Sequence, residues 1–582
     1  MIKTPNSSDI SDITWILERL KRAEDFCDPY FENAKRHYRL YRYSSSVNSG
    51  EYPYVNMVRS RDILAFVEDT TALLIQTLFA TLPFFSVIPR ETTVMNELYG
   101  GIDAYQIGYQ LEKVLDYQIS HEDTEFFEEI VDFFKGGCMF GNSYIGVYPK
   151  FQKDGTYLRP LLKTVDFWDA LPVGDARRMT KSRGVFIREF NDIEELKDMQ
   201  DMGIYKNVDM IPEGTSTASD PKANWHKQLL QDLGFTDFKP HDENIETFHY
   251  FSGGHVITFG NRKIILRDSR KKERGEILKP YPYDLPIVQY KYMPVPLEFF
   301  AMGIPEVLEV LQEDKNLIRS ARRDNIDHII NKIVKVRTGG DVNLDLINWY
   351  PGAKWPLSNL KDVEVLETGD VTSSSYNEEG LLQKDMENAL SLFGYARGMT
   401  PQHSEQPTTV MKLQQASLNR MDLAVKMAEF TTLQNIASRV ILLTRKYMDK
   451  AMYEAIIGEA DAGFYSLPVE AIKRFYYVKP VGSSVTHIKE LRQQQIQYAI
   501  DMLAKIPPQM MEMNRTPFEV DWYEALRTAF DAVDVKNIDR IIVRKQKQQQ
   551  QQSPYGMGMG PGIGGNFANE IEELMKVQYG GV

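Results

Sequence analysis

Residues 303–331 read GIPEVLEVLQEDKNLIRSARRDNIDHIIN. Ile304, Leu308, Leu311, Ile318, Ile326 and Ile329 recur near helical spacing, which predicts one long helix from Gly303 to about Asn331. At about 1.5 Å per residue, such a helix is a rod of roughly 45 Å. Its other faces are dense in charge: Glu306, Glu309, Glu313, Asp314, Lys315, Arg319, Arg322, Arg323, Asp324 and Asp327.

C-terminal to this rod, Ile333 to Ser375 reads as a compact insert with Gly339-Gly340, Pro351-Gly352, Pro356 and a strand-like Val363–Leu366. A second helix is predicted over Glu378–Phe393, ended by Gly394 and Gly398. MTPQHSEQP (399–407) is a loop with no large apolar residue after Met399. It leads into Thr408–Ile457, the longest run free of Gly and Pro. Continuous helix there would reach roughly 75 Å, although a kink is compatible with the pattern. Phe464–Val478 reads as a strand-containing return, and His487–Lys505 and Phe518–Ala532 as helices. A Gln-rich tract, Lys545–Gln552, precedes Gly/Met/Pro-rich low complexity to about Phe567 and a short helix at Asn569–Val577.

On the N-terminal side, Ile13, Ile16, Leu17, Leu20, Ala23 and Phe26 predict an amphipathic helix from Asp9 to about Tyr43, with a kink or break expected at Asp28-Pro29. SSSVNSGEYP is a loop, and further helices are predicted over Arg59–Leu82 and Ile107–Phe134. After Gly136-Gly137 the pattern changes. Ser143–Tyr148, Leu158–Val165, Val185–Phe190, Thr247–Phe251, His255–Phe259 and Arg262–Leu266 read as short strands, Ile193–Met202 as a short helix, and Pro212–Asn224 as a polar excursion. The fold class is therefore mainly α with an α+β portion in the first half.

A chain of 582 residues exceeds what one compact core holds, and 43% hydrophobic and 11% aromatic residues mark folded protein. The net charge of -13 argues against tight wrapping of DNA, which calls for an excess of Lys and Arg. Two cysteines, Cys27 and Cys138, leave no disulfide framework or Cys-rich metal site, in keeping with a reducing cytoplasm. MIKTPNSSDISD lacks an apolar signal core, so secretion is not expected. The apolar stretch Ile63–Phe85 is interrupted by Glu68, Asp69 and Gln76, which favours a buried or inter-subunit helix over a membrane span.

Catalytic signatures fail one by one. There is no GxxxxGK[ST]. HEDTE at His121 has Glu125 where HExxH needs its second histidine, and GNSYIG at Gly141 is one residue too long for a nucleophile elbow. A glycine there reads as the residue that permits a tight turn. The histidines form no ligand-spaced pairs, and Glu128-Glu129, Glu194-Glu195 and Glu378-Glu379 read as solvated helix faces. Arg322-Arg323, flanked by Asp314, Asp324 and Asp327, reads as ion pairing on or between helices rather than a phosphate contact. No cofactor or metal is expected, and no enzymatic activity.

The order helix, small insert, helix, glycine-bounded loop and very long helix resembles the portal (head-to-tail connector) proteins of tailed bacteriophages. MGIPEVLEVLQEDKNLIRSARRDN resembles their first stem helix, GGCMFGNSYIGVYP the Gly-rich turn and strand of the wing, and DVTSSSYNEEGLLQKDMENALSLFGYARGMTP the second stem helix running into the tunnel loop. The likeness covers roughly residues 10–535, and its specificity lies in order and spacing. It implies a portal-type fold: wing 1–302, first stem helix 303–332, clip 333–375, second stem helix 376–398, tunnel loop 399–407, long tunnel helix and return 408–486, crown 487–543 and low-complexity tail 544–582. The short clip and the small crown depart from the family pattern.

The resemblance further implies a homo-oligomeric ring, a dodecamer, at one capsid vertex of the virion, assembled in the host cytoplasm. DNA would enter through it, driven by the terminase large subunit docked on the clip, and leave through it once head–tail adaptors take that position. Major capsid and scaffolding proteins would surround it; no membrane is involved. Stem contacts between subunits would fall to Glu313, Lys315, Arg319, Arg322, Arg323 and Asp327, and clip contacts to Asn343, Asp345, Trp349, Lys354 and Trp355. The tunnel loop would present Gln402, His403, Ser404, Glu405 and Gln406 to the duplex, with Lys412 as a sparse phosphate contact. The physics is compatible: a closed ring needs two complementary faces per subunit, and a conduit needs weak, evenly spread attraction to phosphate. Two other readings stay open, another virion structural protein such as a tail or baseplate component, and a nucleic-acid enzyme with carboxylate-bound magnesium.

Overall fold

In the computed structural model, residues 7–42, 56–79, 83–99, 104–120, 125–152, 155–174, 176–211, 245–271, 280–338, 347, 352, 354–357, 359, 361–366, 372–390, 419–458 and 467–481 are described. The chain divides into two compact units, Met1–His487 and Ile488–Val582, and every described residue belongs to the first. The predicted crown and low-complexity tail therefore lie outside the described residues, as does the excursion 212–224.

Helix α1 (Ser7–Arg42) continues through Pro29, so of the kink or break expected there the break does not occur. An interior proline costs about 3 kcal/mol. Packing on both sides of it offsets that: Ile16, Leu20, Ala23 and Cys27 are buried, Tyr30 stacks on Phe300 at 4.1 Å, Phe26 meets Phe300 at 5.7 Å, and Phe31 meets Phe167 at 5.5 Å. Each aromatic pair contributes on the order of 1 kcal/mol beyond its buried area.

Helix α2 (Asp62–Leu78) is a core helix, with Ile63, Phe66, Val67, Leu74 and Leu78 buried. Thr70 and Thr71, also buried, return their hydroxyls to the carbonyls of Phe66 (2.7 Å) and Val67 (2.8 Å), so no polar group is stranded. No helix among the described residues is long and apolar enough to cross a membrane. Strand β1 (Phe85–Pro89), helix α3 (Thr92–Tyr99), helix α4 (Ala104–Ser120) and helix α5 (Phe126–Phe140) follow. The single helix expected over Ile107–Phe134 is thus two. Glu125, immediately before α5, is left-handed at φ 50, which interrupts the helical hydrogen-bond series.

Two sheets carry the α+β half. Strand β2 (Asn142–Phe151) lies between β3 (Tyr157–Val165) and β9 (Ile287–Lys291), all antiparallel. Its first six residues are buried without alternation because helices cover both faces. The second sheet is a five-stranded meander of β4 (Ala170–Pro172), β5 (Val185–Asn191), β6 (Ile245–Ser252), β7 (His255–Gly260) and β8 (Ile264–Asp268), with helix α6 (Ile193–Asp201) after β5. Gly253-Gly254, both at positive φ, make the two-residue turn joining β6 to β7. A buried ion-pair chain fastens α1 to this sheet: Arg262 bridges Glu246 (3.1 Å) and Glu24 (2.8 Å).

Strands β10 (Met293–Pro294) and β11 (Ala301–Met302) pair just ahead of helix α7 (Ile304–Ile330). Strand β12 (Val334–Val336) pairs with β13 (Val363–Val365), and helix α8 (Thr372–Leu390) returns; it begins six residues before the predicted start at Glu378. The predicted run Thr408–Ile457 is not one helix where it is described. Helix α9 (Asn419–Met427) passes through a π-helical turn (Ala428–Leu433) into α10 (Gln434–Tyr447), Met448 and Asp449 are extended, and α11 (Lys450–Ile457) restarts. The restart follows tertiary demand: it seats buried Tyr453 against α4, where its hydroxyl donates to Gln110 Oε1 at 3.0 Å. Helix α12 (Val469–Phe475) and strand β14 (Tyr476–Pro480) end the described chain, and β14 pairs with β1, Phe85 opposite Pro480. The structure is thus a mixed α and β fold with helices and several small sheets.

The position of α7 is set by backbone packing. Gly141, at φ 77, ends α5, and a Cβ there would overlap the Ala301 carbonyl; a Cβ on Gly303 would overlap the Met139 carbonyl. This is the tight turn expected at Gly141. Gly155 shares the positive φ (85) but faces open space. Gly141→Ala is expected to lower stability by more than about 2 kcal/mol and Gly155→Ala by about 1 kcal/mol. Paired denaturant titrations measure both, and equal losses would mean that the contact with Ala301 is unimportant.

Candidate functional site

The most distinctive assembly is the antiparallel hairpin of α7 and α8, closed by β12 and β13. Gly303 caps α7, and Ile304 and Leu308 anchor its first turns in the core. Further along, the buried positions become polar: Gln312, Lys315 and Ser320. Gln312 and Ser320, with Asn316 and Asp324, accept from the backbone of residues 56–63, which runs antiparallel to α7. Ile63 N–H donates to Gln312 Oε1 (2.8 Å), Ser60 N–H to Asn316 Oδ1 (2.6 Å), Val58 N–H to Ser320 Oγ (2.9 Å) and Asn56 N–H to Asp324 Oδ1 (2.9 Å). Asn56 Nδ2 also donates to Asp327 Oδ2 (2.5 Å). Two residues of extended chain advance about 6.6 Å and four residues of helix about 6.0 Å, so Asn316, Ser320 and Asp324 meet the alternate amides of residues 60, 58 and 56, while Gln312 takes that of Ile63 at the start of α2.

On the side facing α8, Lys315 Nζ reaches Asp62 (2.9 Å) and donates to Gln383 Oε1 (2.8 Å). Arg319 Nε and Arg322 Nη2 both donate to Glu379, each at 2.6 Å, and Arg322 lies 4.0 Å over the Tyr376 ring. Burial works against the Glu379 carboxylate, but the two guanidiniums outweigh it and hold its pKa below the ordinary value. At the root, Glu309 pairs with Arg36 (2.5 Å) and lies 3.7 Å from His37. Burial and neighbouring carboxylates raise the pKa of Glu306 and Glu313 nearby.

The far end of the hairpin is basic and exposed. Val334 pairs with Val365 and Val336 with Val363; Arg337 N–H donates to the Asp362 carbonyl (2.9 Å) and Leu366 N–H to that of Ile333 (2.8 Å). Lys332, Lys335, Arg337 and Lys361 are exposed on or next to these strands, with exposed Glu364 opposite Lys335 and Asp362 3.9 Å from Arg337; Lys354 is exposed in the insert.

Of the residues expected to contact a neighbouring subunit, Lys315, Arg319, Arg322 and Asp327 are engaged within the chain. Glu313 and Arg323 are exposed, Arg323 lying 4.0 Å from Asp327. Of the predicted insert residues, Lys354 is exposed and Trp355 half-buried; Asn343, Asp345 and Trp349 lie outside the described residues. So do Gln402, His403, Ser404, Glu405, Gln406 and Lys412. Among the described residues no group of three His, Cys, Asp or Glu is placed to hold a metal ion. Ser143 is buried, and burial pushes the Cys138 thiol up to about 12. Sequence reasoning missed the polar ladder, although Gln312, Asn316, Ser320 and Asp324 recur at a strict spacing of four.

No protein-family model matches the chain, and no curated protein matches its sequence.

Replacing Glu379 with Gln removes the charge that two half-buried arginines share, and is expected to cost about 1–3 kcal/mol at pH 7. A depressed folded-state pKa means a contribution present above the ordinary value of 4.5 and lost as pH falls below it. The gap between wild type and E379Q in unfolding midpoint should therefore narrow from pH 7 to pH 4. A gap of constant size at both pH values would contradict the pairing.

Proposed function

We propose that this chain is the portal subunit of a tailed bacteriophage, forming a ring at one capsid vertex through which DNA enters during packaging and leaves during ejection. The observation that carries the reading is the hairpin: two antiparallel charged helices, the first of 27 residues, rooted in an α+β body and closed by a small exposed sheet. In this reading the body up to residue 302 is the wing, α7 and α8 are the stem, and β12 and β13 belong to the clip, where a terminase motor and later the head–tail adaptors dock. The ring is a homo-oligomer, a dodecamer by analogy with the family. Subunit contacts would use exposed stem surface: Glu313 and Arg323, the latter 4.0 Å from Asp327 of its own helix, with exposed Val310, Tyr376 and Leu381. The chain itself catalyses nothing; the terminase supplies ATP hydrolysis. The stretch Gln402–Gln406 is the segment proposed to touch the passing duplex.

Electron micrographs of purified full-length protein test this directly. Rings with a central hole wide enough for duplex DNA are expected; trimers or rods would sink the reading in favour of a tail or baseplate component. In a packaging assay, replacing Gln402–Gln406 by Gly/Ser should reduce DNA retention, and unchanged retention would remove the loop from the mechanism.

A further inference from the structure

A cleft of about 600 Å³ opens between the turn at residues 179–182, the segment 283–287, helix α10 and the α12–β14 junction. Four cations line it: Arg90, Lys181, Arg439 and Lys473. None of them has a carboxylate within ion-pair distance among the described residues, and Asp284 is the only acidic side chain on the wall. In a chain of net charge -13, such a concentration of one sign is a local exception.

Arg439 forms the deep part of the cleft. Its Nε donates to the Leu285 carbonyl (3.0 Å) and its Nη1 to the Asn435 carbonyl (3.1 Å), while the guanidinium lies 5.4 Å over the Tyr283 ring. Two neutral carbonyls orient this charge without neutralising it. Burial lowers its pKa to about 10, the Tyr283 and Asp284 charges only partly opposing the shift. Arg90 is held 4.1 Å over the Tyr477 ring, and Lys181 and Lys473 stand exposed at the rim. Thr180, Ser182, Asn435 and Ser438 add neutral hydrogen-bonding groups between the cations. Behind the same turn, burial and the Arg178 charge lower Lys291 to about 8, so positive potential extends past the cleft wall.

We infer that this cleft binds a phosphate-bearing anion with several negative charges. Like charges gathered without counter-charges repel one another, and an anion seated among them removes that repulsion. A single carboxylate would satisfy one cation; a polyphosphate or a run of phosphodiesters satisfies the set, and guanidinium forks suit phosphate oxygens. The volume lies in the range of about 300–1,000 Å³ typical of small-ligand sites. The walls belong to packed elements, so the site is formed before ligand arrives. The inference is independent of the portal reading, since it needs neither a ring nor a channel.

The test uses full-length protein and two probes, inorganic tripolyphosphate and a fluorescent duplex oligonucleotide, titrated at fixed ionic strength. Saturable binding of at least one probe is expected, weakened tenfold or more in the Lys181→Glu/Lys473→Glu double variant. Lys197→Glu, an exposed lysine on α6, serves as control and should bind as wild type does. Binding of tripolyphosphate assigns the site to free polyphosphates or nucleotides; binding of duplex alone assigns it to nucleic-acid backbone, and either supports the inference. Absence of saturable binding for both probes overturns it, as does equal weakening by Lys197→Glu. A double variant that binds normally but changes oligomeric state makes the cleft a protein interface, and the inference fails. Rim residues were chosen because they are exposed; an unchanged unfolding midpoint confirms that the fold is intact, and Lys473→Glu alone serves if the double variant is destabilised.

Discussion

The hairpin depends on a match of pitch between a helix and a strip of backbone. A buried amide without a partner costs about 1–3 kcal/mol, and the backbone from Asn56 to Ile63 brings several such amides against α7. Asn316, Ser320 and Asp324 meet them at intervals that a helix repeats every four residues and an extended chain every two, and Gln312 continues the stripe to Ile63 at the start of α2. Ser320 illustrates the economy of the arrangement: its hydroxyl donates back to the Asn316 carbonyl at 2.8 Å while its oxygen accepts from Val58. The ladder fixes both rotation and axial position of α7. Once these are fixed, Lys315, Arg319 and Arg322 necessarily face the returning α8, where Gln383 and Glu379 receive them.

This explains what could and could not be seen in the sequence. Strands β5 to β7 were legible to within two residues, because aromatic and β-branched runs end at polar or glycine-rich turns. The first hairpin helix was legible from apolar spacing, and the second was legible as a helix whose start was placed six residues late. The ladder was not: a polar stripe on a helix looks the same whether it meets water or another backbone, and only its strict interval distinguishes it. At Pro29 the break that the local rule allowed does not occur, for the opposite reason. A local rule of about 3 kcal/mol was outvoted by the aromatic contacts of Phe26, Tyr30 and Phe31, which come from residues more than a hundred positions away. The helix break at Met448–Asp449 has no Gly or Pro to announce it, and the pairing of β1 with β14 joins segments almost 400 residues apart.

The charges of α7 carry a second lesson. Read along the sequence they suggest adhesion to a neighbour, but four of the six singled out are committed at home. A buried or half-buried pair fixes geometry more than it adds stability, since desolvation offsets much of the attraction. Here that geometry is the angle and register of a long hairpin. If the chain assembles into a ring, the internal pairs prepare a rigid stem, and the surface left over is a mixture of Val310, Tyr376 and Leu381 with scattered charge. Such a surface buries apolar area while its rim charges set register, which is what a heterologous contact repeated around a ring requires.

Net charge is therefore a poor guide to what this molecule touches. The total of -13 hides two basic regions, the hairpin end bearing Lys332, Lys335, Arg337, Lys354 and Lys361, and the cleft around Arg439. At physiological ionic strength charges interact over about 8 Å, so each region acts through its own neighbourhood and not through the chain's sum. An acidic remainder sharpens them, since a polyanion is attracted where cations outnumber carboxylates locally. If the chain is the DNA conduit proposed above, that distribution would keep the duplex mobile, and phosphate would be held only in a preformed site such as the proposed cleft.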